Sequence, residues 1–137
     1  MADFIPTPAN VVTSAAATIV EGTAAAAINA GQLVYKNALG LWDLADADGI
    51  SPLYKVAGMA IDSAPGANQP IAVVTDDPDL IVGGSTPIGT TMIVSATAGA
   101  MCPDVDGATG MYKSVVGIIT APGHMRFRVI RSDVAMP

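Results

Sequence analysis

Residues 30–49, AGQLVYKNALGLWDLADADG, hold the only tryptophan of the chain and have the pattern of a complete β-hairpin. Leu33 and Tyr35 fall on one face of the first strand, the alternation typical of a half-buried strand. Gly40 closes the turn, where a positive φ favours glycine. Because Trp42 lies within the second strand and not at a loop tip, we expect it to anchor the core.

The hairpin has a second copy later in the chain. Gly40 aligns with Gly99 and Gly58 with Gly117, and both pairs are 59 residues apart (99 − 40 and 117 − 58). The second half therefore repeats the hairpin and the strand that follows it. Two copies of one strand unit are typical of a structural or binding module and not of an enzyme.

These patterns predict an all-β fold, a compact β-sandwich or barrel built from two similar strand units. The units cover about residues 28–82 and 87–131 of a single domain, residues 15–137, which follows an extended N-terminal arm, residues 1–14. A chain of 137 residues can bury about two thirds of the surface of its unfolded state. VAGMAI and VVGIIT are apolar on both faces, which predicts central strands covered from two sides. The glycine inside each indicates a bend, a bulge or a close backbone approach.

The arm, MADFIPTPANVVTS, is more apolar than a solvated tail requires. Its two prolines hold the preceding residues in extended conformation. The arm either folds back on its own domain or reaches a neighbouring molecule and adds a strand to its sheet. The candidate contact residues of the arm are Phe4, Ile5, Pro6, Pro8, Val11 and Val12.

Three further segments give local predictions. Residues 15–29 are rich in alanine, but β-branched residues and a Gly-Thr pair favour a strand, with a short helix over residues 23–28 as the alternative. Residues 76–79, DDPD, predict an acidic loop whose carboxylates face water. Residues 125–130 predict the last strand, with a buried apolar face.

The opposite face of that last strand is basic. Arg126, Arg128 and the nearby Arg131 supply three of the six positive charges of the chain. These side chains either pair with local aspartates or form a basic strip that meets an acidic partner surface. All three are candidate contact residues for a partner protein or a second subunit.

Composition excludes several classes of function. Only 13% of residues are charged and the net charge is −6, so a nucleic-acid partner is disfavoured. A mean hydropathy of +0.50 with so few charges indicates apolar surface used against partners. No apolar run reaches the roughly 18 residues of a membrane span, and no basic segment precedes the first apolar residues as in a secretory signal. We therefore expect no membrane contact and synthesis in the cytoplasm.

No residue pattern predicts catalysis, a cofactor or a metal ion. The only histidine, His124, follows Pro-Gly in a turn, and one histidine with one cysteine do not supply the ligand set typical of a zinc site. The acidic turns DADG and DVDG lack the spacing of a calcium-binding EF-hand loop. A hydrolase that uses two aspartates is the remaining enzymatic alternative.

The order of these segments resembles a known family. The segments AGQLVYKNALGLWDLADADG, YKVAGMAIDSAPGANQPIAVV and GTTMIVSATAGAMCPDVDGATGMYKSVVGIITAP, with a closing strand before VAMP, are similar to tailed-bacteriophage head decoration proteins, also called capsid cement proteins. The resemblance covers roughly residue 28 to the C-terminus. It implies an all-β protein without catalysis that binds the outside of the expanded head and stabilises it against the pressure of packaged DNA.

The resemblance also implies partners and a location. The partners would be the major capsid protein and further copies of this chain in a homotrimer, and the location would be the outer surface of the virion. The alternative is another virion component, such as a tail or fibre module or a protein that binds the host surface.

Overall fold

The computed structural model describes residues 3–47, 55–106 and 112–130. Within these ranges, nine strands form one antiparallel sheet that curls into a half-barrel, and helix is limited to two 3₁₀ turns, Pro8–Asn10 and Asp104–Asp106. The all-β prediction is confirmed. The strands are β1 Thr18–Thr23, β2 Leu33–Lys36, β3 Trp42–Leu44, β4 Gly58–Ala60, β5 Pro70–Ile81, β6 Thr91–Val94, β7 Met101–Pro103, β8 Val115–Ala121 and β9 His124–Ile130.

The strand order is symmetric about its centre. It runs β3-β2-β4-β5-β9-β8-β6-β7, and β1 pairs separately with β5. Strands β2, β3, β4 and β5 correspond to β6, β7, β8 and β9, in that order. Read from one end the sheet begins β3-β2-β4-β5, and read from the other end it begins with the corresponding strands β7-β6-β8-β9. The sheet therefore consists of two four-stranded units with the same topology, joined by the antiparallel pair β5 and β9.

The pairing within the two units is also the same. The matching residues are Val34, which pairs with Leu44 and Gly58, and Met92, which pairs with Pro103 and Gly117. Met92 lies 58 residues after Val34, whereas the two flanking strands keep the spacing of 59. The turn between β6 and β7 thus has one residue more than the turn between β2 and β3. Trp42 and Met101 hold equivalent positions.

The two matching glycines mark close contacts between neighbouring backbones. A Cβ at Gly58 would lie 2.5 Å from the carbonyl oxygen of Val74. A Cβ at Gly117 would collide with the carbonyl oxygen of Arg126 and would lie 2.7 Å from Met125 Cε. Of the alternatives that the sequence leaves open, a bend, a bulge or a close approach, both glycines have the close approach, and Gly117 also lies at a register shift between β8 and β9.

The curled sheet brings its two ends together. The N–H of Gly99, in the β6–β7 turn, donates to the carbonyl of Ala45, which follows β3, at 2.8 Å. The Gly99 carbonyl in turn accepts from the N–H of Leu33 at 2.8 Å. These bonds connect the first hairpin with its counterpart.

The two units differ in how their faces are covered. In the first unit, neighbouring residues alternate between two buried clusters: Met59 and Val74 belong to the larger cluster, Ala60 and Val73 to the smaller one around Trp42. Both faces of β4 are buried, as predicted. In the second unit, β8 and β9 have one exposed face, whereas Met92, Ile93 and Val94 of β6 are all buried.

The corresponding prediction for β8 is wrong. Ile118, the counterpart of Met59, is 46% exposed, and Thr120 is exposed as well. The apolar sequence of β8 resembles that of β4, but no segment of the described chain covers its outer face.

The prediction of an acidic loop at residues 76–79 is also wrong. These residues continue β5, which has an irregular register between Asp77 and Leu80. Asp77 is fully buried. The irregularity turns its carboxylate away from water and towards Ser14.

Residues 15–29 contain β1, so the predicted strand is confirmed. The alternative helix over residues 23–28 is absent, since Ala24 and Ile28 form isolated β-bridges to Trp42 and Ala64.

The N-terminal arm lies on its own chain. Phe4 and Met101 exchange two backbone hydrogen bonds of 2.7 and 3.0 Å, and Val12 and Ile81 exchange two of 2.9 and 3.0 Å. The arm thus extends the sheet at the edges of β7 and β5. Of the two interpretations of its sequence, the described structure has the one in which the arm folds back.

Candidate functional site

The uncovered face of the second unit is the main candidate for a contact surface. Across the sheet, Arg126 pairs with Ile118, and Ile118 pairs with Thr91. Directly paired residues project to the same side, so these side chains form a row. We call the surface that they form with Arg128 and Ile130 the open face. It combines two guanidinium groups with two exposed isoleucines, 46% and 61% accessible.

The guanidinium groups of the open face have no acidic partner in the described part of the chain. Neither Arg126 nor Arg128 lies within 4.0 Å of a described carboxylate, although Arg128 pairs with Asp76 through the backbone. The sequence allows two interpretations of the basic strip, local ion pairs or contact with a partner surface. The described residues form no ion pair with Arg126 or Arg128. Arg131 lies outside the described residues.

An apolar hollow continues the open face at Thr91. It has a volume of about 450 Å³ and is lined by residues 87, 89–91 and 103–105. At or beside its rim, Val105 is 91% exposed and Ile88 is 64% exposed. The second unit therefore presents apolar surface well beyond its basic strand.

The candidate residues of the arm divide into two groups. Phe4 and Val11 pack against the larger core cluster, and Pro6 is buried with its carbonyl close to Gly31. The outward residues are Ile5 (43% exposed), Val12 (50% exposed) and Pro8. Only this second group is available to a partner while the arm is docked.

Two carboxylates hold the ends of the arm through hydrogen bonds, and no sequence pattern predicts either set of bonds. At the C-terminal end, Asp77 accepts hydrogen bonds from the Ser14 N–H (2.8 Å), the Ser14 hydroxyl and the Asp79 N–H (2.9 Å). Burial raises the pKa of Asp77, but these hydrogen bonds outweigh it and hold the pKa below its ordinary value. Asp77 is therefore a charged residue that belongs to the fold.

At the N-terminal end, Asp3 accepts hydrogen bonds from the hydroxyls of Ser95 and Thr97, both at 2.5 Å. The bond from Ser95, followed by that from Thr97, lowers the pKa of Asp3. Both hydroxyls belong to the turn between β6 and β7, which is one residue longer than the turn between β2 and β3. This longer turn binds the arm.

A smaller hollow of about 200 Å³ lies beside β1 and is acidic. Glu21 and Asp62 line it together with residues 22 and 70–72. Glu21 lies on β1, and Asp62 follows β4 and accepts a hydrogen bond from the Ala72 N–H at 2.8 Å. Pairing of both strands with β5 brings the two carboxylates together, which no local sequence pattern indicates.

Trp42 has the role predicted for it. It is 3% exposed within the smaller cluster, with Lys36 Nζ 5.2 Å from the centre of its ring. Its indole N–H has no hydrogen-bond partner among the described residues and lies against Gly22, where a Cβ would be 2.5 Å away.

Chemically reactive groups are sparse on the described surface. His124 Nδ1 lies 2.7 Å from Asp79 Oδ1 in an exposed pair. In residues 3–47, 55–106 and 112–130, no three histidine, cysteine or acidic side chains converge on a possible metal site. The same ranges contain no helix capable of crossing a membrane.

Comparison with protein-family models, curated proteins and solved structures found no match to this chain. The description of its function therefore depends on its own surfaces.

Proposed function

We propose that this protein is a non-enzymatic decoration protein that binds the outer surface of an expanded phage head and stabilises it. The observation that carries the proposal is the open face: the exposed side of β8 and β9, with two arginines that lack an acidic partner in the described chain and two exposed isoleucines. An exposed apolar surface with charges of one sign is typical of a protein–protein contact. The resemblance of the sequence to capsid cement proteins supplies the kind of partner, the major capsid protein.

The position of the open face within the repeat supports a role in assembly. The first unit buries the equivalent positions, Met59 and Val74, whereas the second unit exposes Ile118 and Arg126 in their place. The two units thus share a topology, but only one has an uncovered face. The docked arm adds Ile5, Pro8 and Val12 as a second apolar strip.

A decoration protein gains affinity from multiple contacts. Once one site of an oligomer is bound to the shell, the next binds at a high effective concentration, so weak single contacts are sufficient. This explains how individually weak surface contacts could hold a shell under pressure.

The test is binding of the purified protein to expanded, undecorated heads and to unexpanded proheads, measured by cosedimentation. We expect saturable binding to expanded heads only. The variant Arg126→Gln should weaken this binding, whereas Lys36→Gln, which removes one positive charge from the first unit, should not. Absence of binding to expanded heads at every salt concentration would refute the proposal. Recovery of the protein with purified tails would favour the alternative virion role.

The arm is tested by point substitution, because its deletion would also remove core contacts of Phe4 and Val11. We expect Ile5→Ser and Val12→Ser to lower head occupancy while leaving the melting temperature of the free protein nearly unchanged. Unchanged occupancy would show that the outward side of the arm makes no contact with the shell.

A further inference from the structure

The two halves of the domain carry opposite formal charge. Residues 15–82 contain eight acidic side chains and two lysines, a formal charge of −6, whereas residues 83–137 contain three aspartates and four basic side chains, a formal charge of +1. Asp3 in the arm completes the net charge of −6. One molecule thus presents both an acidic and a basic half.

The acidic half has an exposed strand at its surface. Within the described residues, β1 pairs with β5 along one edge, and its other edge has no backbone partner. Ile19 and Val20 project to opposite sides of β1, and both are exposed, at 44% and 38%. Strands of this kind are usually protected by charges or by a partner. Glu21 follows directly and lines the acidic hollow with Asp62.

The chemistry of β1 is complementary to that of the open face. The open face has two exposed isoleucines beside two arginines. The surface at β1 has exposed Ile19 and Val20 beside the two carboxylates of the acidic hollow. Arg126 and Arg128 lie two residues apart on one side of β9, hence about 7 Å apart. At about 30 Å³ for each water, a hollow of about 200 Å³ corresponds to roughly six or seven waters, enough for one guanidinium group.

We propose that the open face of one copy of this chain binds the β1 strand and the acidic hollow of a second copy. The guanidinium of Arg126 or Arg128 enters the hollow between Glu21 and Asp62, and Ile118 packs against the exposed apolar side chains of β1. Two different surfaces meet, so the contact is either reciprocated in a twofold pair or repeated around a ring. The inference rests on the proposed function in taking the open face as an assembly surface; with that face covered by a second copy, the outward residues of the arm, Ile5, Pro8 and Val12, remain to contact the shell.

The experiment measures self-association of the full chain without heads, by light scattering and sedimentation equilibrium at low and high salt. We expect a concentration-dependent oligomer that dissociates as salt rises, because exposed charges are screened. Glu21→Arg and Arg126→Glu should each raise the dissociation constant at least about tenfold. Combining both changes in one chain restores opposite charges across the contact and should recover most of the wild-type affinity.

Asp43→Arg is the matched control, since it makes the same charge change on the first unit outside the hollow. It should alter the dissociation constant by less than about threefold. Melting curves of all variants check folding: the exposed side chains Glu21 and Arg126 should leave the curves nearly unchanged, and the curve of Asp43→Arg shows whether loss of the hydrogen bond from the Leu44 N–H affects the fold.

The possible failures separate the two proposals. A chain that remains monomeric at all concentrations, or a double variant weaker than either single variant, would overturn the self-contact. If that monomer still binds expanded heads, the open face contacts the shell and the proposed function stands. Charge-dependent self-association without binding to expanded heads would support the self-contact and refute the proposed function.

Discussion

The hydroxyl of Ser14 should contribute measurably to stability through Asp77. Replacing Ser14 with alanine removes one of the three hydrogen bonds to a fully buried carboxylate and leaves the two from backbone N–H groups. A hydrogen bond to a charged group contributes about 1.5 to 3 kcal/mol. We therefore expect Ser14→Ala to lower the free energy of unfolding by about 2 kcal/mol, or the melting temperature by roughly 6 to 10 °C for a chain of this size.

The effect should depend on pH in a defined direction. Because the pKa of Asp77 is lower in the folded state than its ordinary value of 3.8, its ionised form stabilises the fold above pH 3.8. This stabilisation is lost as the pH falls through the folded pKa. The difference between wild type and Ser14→Ala should thus be full at pH 7 and should shrink below pH 3.8.

Urea unfolding followed by the fluorescence of Trp42 provides the measurement, since this single tryptophan is buried in the native state. Ser85→Ala is the control, because Ser85 is exposed and has no hydrogen bond in the described structure. It should change stability by less than about 0.5 kcal/mol. Superimposable curves for Ser14→Ala and wild type at pH 7, or a difference that persists unchanged at pH 2.5, would refute the role assigned to the Asp77 clamp.

Three other substitutions and reactions test the fold. Gly117→Ala should destabilise the protein by about 1 to 3 kcal/mol, since its Cβ meets the Arg126 carbonyl, whereas Gly66→Ala, with no atom within 4 Å of the new Cβ, should be nearly neutral in the same thermal melts. Phe127→Ala should cost about 3 to 5 kcal/mol in urea unfolding, because this side chain is fully buried; a loss below about 1 kcal/mol would contradict its place in the core. Cys102 is fully buried, so its thiol should react with a thiol reagent only in denaturant, and fast reaction of the native protein would contradict the packing of β7.

Local patterns were sufficient to predict the hairpins. Apolar residues and turn glycines located β2, β3, β6 and β7, but the alternation in β2 predicted one buried face, whereas Leu33, Val34 and Tyr35 are all buried. The repeat located equivalent strands as well, and the extra residue in the second turn did not obscure it.

Local patterns failed where distant segments decide the environment. The DDPD sequence of residues 76–79 has the composition of a turn. In the structure, however, Ser14, 63 residues earlier, donates hydrogen bonds to the carboxylate of Asp77, and residues 76–79 continue strand β5. The sequence of β8 is as apolar as that of β4, yet Ile118 is exposed because the covering segments lie only over the first unit. The acidic hollow was missed for the same reason, since Glu21 and Asp62 meet only through β5.

The docking of the arm affects how the chain folds during its synthesis. Asp3 is made before its partner Thr97, which follows 94 residues later. At about 5 to 20 residues per second, translation would leave the arm without this partner for about 5 to 20 s. Contacts over such a long stretch of sequence also form slowly by loop closure. The nascent chain would therefore expose the apolar residues of the arm, such as Phe4 and Val11, until β5 and β7 have been made, and a neighbouring nascent chain could bind the arm in this interval.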